Sequence, residues 1–338
     1  MMDSRLPPIS IRAPRAASRL KPPLDNARGG PELVEGPEAT NAERRTFFAI
    51  AVHLVAIALV VWLAAAHPRA TQPQTTGGSK TPARIVSLVP AVTEMLFAIG
   101  AGPRVAGVSS FDHFPAEVER LPRVGALLDP DVERILSLRP DLVVVYRSQT
   151  DVLAQLGRAG IPAFVYSHAG LADVTVTLRR LGERIGAGAV AQRLATDIER
   201  RIEAVRSASA NASRPRTLVV FGRDPFALRG IYASGGVGFV HDMVTAAGGD
   251  NVFADAKREA VQATTELIIS RGPEVILELR AEAMEREAKE KEVRTWSSLA
   301  SVPAVRSGKV RILDDPRTVV PGPRVAEGIE LIASELRR

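Results

Sequence analysis

Histidine and serine side chains are the first candidates for chemistry in this sequence. The histidines that follow residue 82 are His113, His168 and His241. They lack the HxxxH or HxH spacing that would bring two imidazoles onto one metal ion, although axial ligation of a haem iron by one of them, with Asp112 and Tyr146 nearby, stays open. Neither Ser87 nor Ser109 lies in the GxSxG motif of a hydrolase nucleophile. The spacing therefore disfavours a bare metal site and hydrolase chemistry.

Cysteine is absent from the 338 residues, which excludes a disulfide framework, a thiolate metal site and a cysteine nucleophile. No pair of carboxylates is spaced for acid–base work either. We therefore predict no enzymatic activity and no cofactor of its own. An enzyme or chelatase on the same kind of scaffold is the alternative, and a cluster of titratable groups in a cleft would favour it.

Aromatic side chains fit a binding site better. Phenylalanine, tryptophan and tyrosine make up only 4% of the chain, yet Phe111, Tyr146 and Phe226 lie at predicted strand ends or in the loops that follow. An open α/β lobe presents its ligand cleft at that edge. We predict that these rings bind the ligand.

Arginines occupy similar positions. Arg147, Arg223 and Arg317 fall in predicted loops after strands, and a guanidinium can pair with the carboxylates, phosphates or chelate oxygens of a ligand. We predict that these arginines also bind the ligand. The chain as a whole is not a nucleic-acid binder, because the formal charge of +6 is spread over interleaved acidic and basic residues and stacking rings are scarce.

The elements that position these residues alternate between strand and helix. Apolar residues at spacings of three and four within 171–185 and 190–205 predict two amphipathic helices, and after a break near residues 211–215 the alternation restarts. This order predicts two α/β lobes with a mostly parallel sheet in each and helix between them. The β-rich runs are residues 84–90, 105–109, 142–147, 163–167, 217–222, 275–279 and 310–313.

One phrase occurs in both predicted lobes. Residues 134–145 read RILSLRPDLVVV and residues 267–277 read LIISRGPEVIL. Each predicts a helix, a proline break and then a strand, because the residue before a proline disfavours the helical conformation.

The N-terminal part of the chain predicts export. Residues 46–67 contain no Asp, Glu, Lys or Arg and follow Arg44 and Arg45. About 20 such residues cross the hydrocarbon layer, and the flanking arginines favour a cytoplasmic N-terminus. We predict a transmembrane anchor at 46–67. A cleaved signal segment is the alternative, because the small residues at 64–66 suit signal peptidase.

The segments on either side of this run have polar or low-complexity composition. Residues 1–45 predict a disordered cytoplasmic tail and residues 68–82 predict a linker. The folded domain is predicted at 83–338, as a monomer at the periplasm or the outer face of the cytoplasmic membrane.

Several phrases together resemble the periplasmic vitamin B12 and iron-chelate binding proteins of ABC importers. No single phrase is specific, but together the phrases match the family in order and spacing over residues 83–338. In the first lobe the phrases are IVSLVPAVTEMLFAIG at 85–100, VAGVSSFDHFP at 105–115, LPRVG at 121–125 and DVERILSLRPDLV at 131–143. In the second they are AGGDNVF at 247–253, TTELI at 264–268, WSSL at 296–299 and VPAVRSGKV at 302–310.

The resemblance implies two Rossmann-like lobes, at 83–188 and 214–338, joined by a long rigid helix at 189–206. It implies that a corrinoid such as vitamin B12, or a ferric chelate, binds in the cleft between them and passes to the ABC permease and its ATPase subunits. Phe111 and Tyr146 match aromatic cleft positions of the vitamin B12 receptor. Leu127 and Ala260 stand where that receptor carries tryptophans, so part of the platform for a corrin ring is missing.

The resemblance also implies a docking role for Glu133 and Glu266, which match the surface glutamates that contact permease arginines. The alternative for each is a solvated glutamate that complements a helix dipole. The alternative for the whole chain is a membrane-tethered haem or siderophore sensor, or another non-transport binding module on the same fold.

Overall fold

The computed structural model describes residues 81–338. The predicted tail at 1–45, the predicted membrane segment at 46–67 and all but the end of the linker at 68–82 lie outside the described residues. Among the helices within 81–338, none is long and apolar enough to cross a membrane.

The first lobe contains a parallel sheet of four strands in the order β2-β1-β3-β4. Helices cover both of its faces, and a parallel sheet buried in this way has near-continuous apolar strands. The sequence LVVVY of β3 shows this, because its first four residues are buried. The elements are β1 (Ile85–Ser87), α1 (Pro90–Ala98), β2 (Val105–Val108), α2 (Val132–Ser137), β3 (Leu142–Tyr146), α3 (Thr150–Arg158), β4 (Ala163–Tyr166) and α4 (Ala172–Arg184).

A helix of 22 residues, α5 (Gly188–Ser209), connects the two sheets. The sequence predicted a linking helix at 189–206, and α5 extends a few residues further. The stripe that it buries, at spacings of four, three and four, consists of Ala191, Ala195, Ile198 and Ile202. This stripe packs α5 against α4 and against the C-terminal helix.

The second lobe contains a sheet in the order β10-β9-β5-β6-β8, with β7 paired to β5. Strands β10, β9 and β5 are parallel, whereas β6 and β8 pair antiparallel. These two short strands were not predicted from the sequence. The elements are β5 (Arg216–Gly222), β6 (Ile231–Ser234), α6 (Phe239–Ala246), β7 (Asp250–Asn251), β8 (Ala260–Ala263), α7 (Thr265–Arg271), β9 (Val275–Leu279), α8 (Arg286–Thr295), α9 (Pro303–Arg306), β10 (Val310–Leu313) and α10 (Val325–Arg337).

One apolar cluster runs through both lobes. It includes Val144 of β3, Ile198 of α5, Leu277 of β9 and Ile329 of α10. Each sheet packs a second, separate cluster on its other face. The α/β lobes therefore share a core around α5, and burial of this shared apolar surface stabilises their association.

Candidate functional site

The carboxyl edge of the first sheet gathers polar and aromatic side chains. Tyr146 ends β3 and Tyr166 ends β4, while Asp112 and His168 lie in the loops after β2 and β4. The carboxyl ends of parallel strands share one edge, which is where open α/β sheets bind ligands. The topology thus brings together residues that are up to 56 positions apart, between Asp112 and His168.

Four rings form a row that crosses from the first lobe to the second. The Tyr146 and Tyr166 rings meet edge to face at 5.8 Å, and the Tyr166 and His168 rings stack at 6.1 Å. His168 in turn meets Phe239, the first residue of α6, at 5.1 Å between centroids. This aromatic row joins the edge of the first sheet to the second lobe.

Several polar atoms in this row and beside it are buried without a hydrogen-bond partner among residues 81–338. They are Asp112 Oδ1, the Tyr166 hydroxyl and both ring nitrogens of His168. An unsatisfied buried polar group costs about 1–3 kcal/mol, and such groups in a native structure call for an explanation such as an ordered water or an ion. A bound ligand would satisfy them in the same way. All of them lie at the carboxyl edge, so this is where a polar ligand group would be stabilised most.

Burial sets the charge of the titratable groups in this region. It raises the pKa of Asp112 to about 7, against a hydrogen bond from the Ser109 N–H that favours the carboxylate. It lowers the pKa of His168 to about 4, so the imidazole is neutral at pH 7. In the second lobe, burial and the nearby Asp242 carboxylate raise the pKa of Glu259 to about 7.

Two of the predicted aromatic residues are exposed. Phe111, after β2, is 41% exposed, and Phe226, between β5 and β6, is 47% exposed. Phe226 has φ = 54°, a left-handed conformation that is costly for a bulky residue. Its N–H donates to the Glu292 carboxylate, and the Lys291 ammonium lies 4.4 Å from its ring centroid. These contacts fix a ring that faces solvent.

Tyr146 and two of the predicted arginines have different surroundings. Tyr146 is half-buried and packs in the aromatic row, and burial raises the pKa of its phenol. Arg147 is exposed, and its backbone N–H donates to the Tyr166 carbonyl at 2.9 Å. Arg317 is half-buried and pairs with Asp315 at 2.5 Å and Glu327 at 3.1 Å, which raises the pKa of its guanidinium. Arg317 is thus already neutralised by two carboxylates.

Arg223, which is predicted to bind the ligand, lies inside the second lobe. Its side chain is 0% exposed and pairs with Glu278 at 2.7 Å and Glu292 at 2.6 Å. The guanidinium also lies 5.8 Å from the Trp296 ring centroid. Nη1 also donates to the Asp224 and Ala227 carbonyls at 3.2 Å, so the whole guanidinium is occupied and Arg223 ties α8 to the sheet. Its partners come from β9 and α8, and no local pattern indicates them.

Contacts between the lobes were also missed from the sequence. Arg324, before α10, pairs with Glu94 of α1 at 2.6 and 2.9 Å and lies 3.7 Å above the Phe114 ring. The Leu171 N–H donates to Asp242 of α6 at 2.9 Å. The one available signal was Glu94 itself, a charged residue within the mostly apolar helix α1, because a buried charge needs a partner.

Glu133 and Glu266 are exposed at equivalent positions in the two lobes. Each is the second residue of a helix, α2 or α7. Asp131 caps the first helix by accepting from the Arg134 N–H at 2.9 Å, and Thr264 caps the second by accepting from the Leu267 N–H at 3.2 Å. Hydrogen bonds from its own backbone N–H and from Thr264 lower the pKa of Glu266. Both glutamates are thus exposed carboxylates on capped helices.

A metal centre has no support within the described range. Among residues 81–338, no group of three or more histidine, aspartate or glutamate side chains is placed to hold a metal ion. His113 lies at the surface beside Glu119, and His241 contacts the Asn251 amide.

The Asp112→Asn variant should change the pH dependence of stability. The pKa of Asp112 is raised in the folded state, so the native protein holds a proton that the unfolded chain loses above about pH 4. Stability therefore falls as pH rises from about 4 to about 7. The asparagine variant lacks this loss, and we expect it to be more stable than the wild type by about 2–4 kcal/mol at pH 8 but nearly equal at pH 4. Urea unfolding at both pH values measures this, and parallel pH profiles would refute it.

Comparison with known proteins agrees with this arrangement. An ABC transporter substrate-binding lipoprotein of Bacillus subtilis is 30% identical over 268 residues, which are 76% of this chain and 81% of that protein. A vitamin B12-binding protein of Yersinia pestis is 29% identical over 196 residues, 57% of this chain and 68% of that protein.

Solved structures are similar as well. The periplasmic haem-binding protein RhuT from Roseiflexus superposes with a TM-score of 0.65 at 29% identity, over 75% of this chain and 97% of that one. The vitamin B12-binding protein BtuF of Vibrio cholerae gives a TM-score of 0.65 at 24% identity, over 76% and 97%. The sequence model of the periplasmic binding protein family matches residues 85–316 of this chain. This chain therefore belongs to the periplasmic binding protein family, whose members bind solutes and do not transform them.

Proposed function

We propose that this chain is the extracytoplasmic substrate-binding receptor of an ABC importer, and that it captures a corrinoid or a ferric chelate between its two lobes. The observation that carries the proposal is the carboxyl edge of the first sheet. Buried polar atoms without partners among residues 81–338 lie there beside the aromatic row. A bulky planar chelate needs such a surface, with apolar walls and a few convergent polar groups.

Two kinds of observation bear on the identity of the ligand, namely the names of the matched proteins and the side chains at the site. Of the matched proteins described above, two are named for vitamin B12 and one for haem. Leu127 and Ala260 are small or aliphatic, which reduces the aromatic area available to a corrin ring. The neutral His168, whose ring nitrogens are unbonded within the described range, offers a hydrogen bond or a metal ligand to a haem or siderophore.

An importer receptor is favoured over a tethered sensor by the two exposed glutamates. Glu133 and Glu266 occupy the same position on a capped helix, one in each lobe. Docking to a transport partner assigns a role to both carboxylates. Charges at two separate points set the register of docking and the rate of encounter.

The domain assignment is part of the proposal. We place the first lobe at 83–188 and the second lobe at 214–338, joined by the linking helix that was predicted at 189–206 and corresponds to α5 (Gly188–Ser209), and we propose that the protein acts as a monomer. Residues 46–67 would hold this domain at the outer face of the cytoplasmic membrane, after a cytoplasmic tail at 1–45 and before a linker at 68–82.

A thermal-shift screen tests the proposed ligand class. Cobalamin, cobinamide, haem and several ferric siderophores would each be added at increasing concentration to the purified protein. A ligand that binds only the folded state adds about 2.7 kcal/mol of stability at 100 times its dissociation constant. We expect one of these chelates to raise the melting temperature in this way. If the protein melts cooperatively and none of these chelates changes its melting temperature, the proposed ligand class is excluded.

Removing the exposed rings should weaken ligand binding and leave the free protein intact. For Phe111→Ala and Phe226→Ala we expect about a tenfold loss of affinity each, because stacking adds about 0.5–1.5 kcal/mol to the energy of the buried ring area. Calorimetric titration with the chelate found in the screen measures this. Val176→Ala, at an exposed apolar residue of α4, is the matched control. Unchanged affinity in both phenylalanine variants would remove these residues from the binding surface.

A further inference from the structure

Helices α2 and α7 each expose an aliphatic side chain close to the proposed docking glutamate. Leu136 is 36% exposed and Ile269 is 44% exposed. Each follows its glutamate by three positions, and residues three apart on a helix are neighbours on its surface. We call the pairs Glu133 with Leu136 and Glu266 with Ile269 the docking patches.

The two helices that carry the docking patches are built alike. The residue before each exposed aliphatic, Ile135 or Ile268, is 0% exposed and anchors its helix in the lobe. The residue after it is a serine in both cases. Ser137 donates to the Arg134 carbonyl at 2.7 Å, and Ser270 donates to the Leu267 carbonyl at 2.9 Å. The same anchoring holds each patch in the same orientation on its lobe.

The turns after these helices match as well. Arg139 has φ = 48° and Gly272 has φ = 54°. The chain therefore leaves both helices through a residue in the left-handed conformation that precedes a proline. Arginine is costly at such a position whereas glycine is not. The first lobe therefore keeps the geometry despite an unfavourable residue.

The strands that follow are tied down by equivalent hydrogen bonds. Asp141 accepts from the Arg84 N–H at 2.8 Å, and Glu274 accepts from the Arg216 N–H at 2.9 Å. The Arg84 side chain also donates to the Leu138 carbonyl, as the Arg216 side chain does to the Arg271 carbonyl. The two docking patches are thus carried by the same structural unit, present once in each lobe.

An exposed aliphatic residue on its own needs no explanation. An exposed aliphatic at the same place in two duplicated units, beside the same carboxylate, is better explained by a partner. Because each patch pairs a negative charge with an apolar side chain, the complementary partner surface has a cationic group beside an apolar depression, and has it twice.

We propose that Leu136 and Ile269 are contacts to the importer permease, each entering an apolar depression next to the cation that pairs with the neighbouring glutamate. This inference rests on the proposed receptor function. The glutamates steer and align the approach, whereas burial of the two aliphatic side chains supplies affinity that does not depend on salt.

Binding of the full chain to its permease and ATPase complex in lipid nanodiscs tests this, over a range of salt concentrations. For Leu136→Asn with Ile269→Asn we expect about a hundredfold weaker binding, about tenfold per position, with the salt dependence of the wild type retained. The conservative pair Leu136→Met with Ile269→Met should keep most of the affinity. Val176→Asn with Val190→Asn, at exposed apolar residues elsewhere, is the control and should bind normally.

The outcomes separate this inference from the proposed function. Normal binding by the double asparagine variant, in an assay where reversing both glutamates abolishes binding, would overturn the aliphatic contacts and leave the receptor assignment in place. Normal binding by both sets of variants would overturn the aliphatic contacts and the docking role of the glutamates, whereas failure of the wild-type protein to bind the complex would overturn the proposed receptor function. Unchanged melting temperatures show that the variants are folded, which we expect because both side chains are exposed.

Discussion

Reversing both docking glutamates, Glu133→Arg with Glu266→Arg, should abolish uptake while leaving ligand affinity unchanged. The reversal places like charges opposite one another at two ends of the interface with the permease, which opposes docking and slows encounter. Neither glutamate is part of the aromatic row or of the group of unsatisfied atoms beside it. Uptake of the chelate by cells without a redundant receptor measures the first effect, and calorimetric titration measures the second.

The single reversals should give intermediate losses of uptake, and added salt should weaken docking of the wild type because exposed charges are screened. Glu117→Arg with Glu282→Arg provides a matched control, with one exposed glutamate in each lobe outside α2 and α7. Wild-type uptake by the Glu133→Arg, Glu266→Arg protein would remove the docking role from both residues.

Replacing the buried guanidinium in Arg223→Leu should destabilise the second lobe by about 3–5 kcal/mol. The replacement leaves Glu292 buried without its counter-ion and removes one of the two guanidinium groups that pair with Glu278, and breaking a buried pair from one side has a cost of this size. Arg280 and the Trp296 indole still bind Glu278, but within residues 81–338 neither of them contacts Glu292. Urea unfolding of the purified protein measures the change.

Arg229→Leu is the control for Arg223→Leu. Its side chain is 80% exposed and its nearest carboxylate, Asp224, lies at 3.7 Å, so it should behave like other surface substitutions. A small loss of stability for Arg223→Leu, together with a large loss of ligand affinity, would show that Arg223 reaches the ligand after all.

The repeating elements of this fold were predictable because each has a local signal. Strands buried on both faces read as apolar runs, and the spacing of Ala191, Ala195 and Ile198 follows the period of a helix. The phrase shared by the lobes predicted a helix, a break and a strand in each, and the structure contains both units. Strands β6 and β8 were missed because each has four residues and neither alternates clearly.

The surroundings of the site were harder to predict because they depend on contacts between distant segments. Arg147 and Arg223 both come at the end of a strand, yet one is exposed and the other is enclosed by carboxylates from β9 and α8. His168 is one of the three histidines after residue 82, which have no metal-binding spacing, and only its contact with Phe239 shows that it lies between the lobes. The ion pair of Glu94 with Arg324 joins residues 230 positions apart.

Uptake into proteoliposomes tests the receptor assignment most directly. The vesicles would contain the permease and ATPase subunits with ATP inside, and the chelate identified by the thermal-shift screen would be supplied outside. We expect uptake when this protein is present and no uptake when it is omitted or replaced by the Glu133→Arg, Glu266→Arg variant. Equal uptake without the protein, or no uptake in the presence of the chelate-loaded protein, would contradict its role as the receptor.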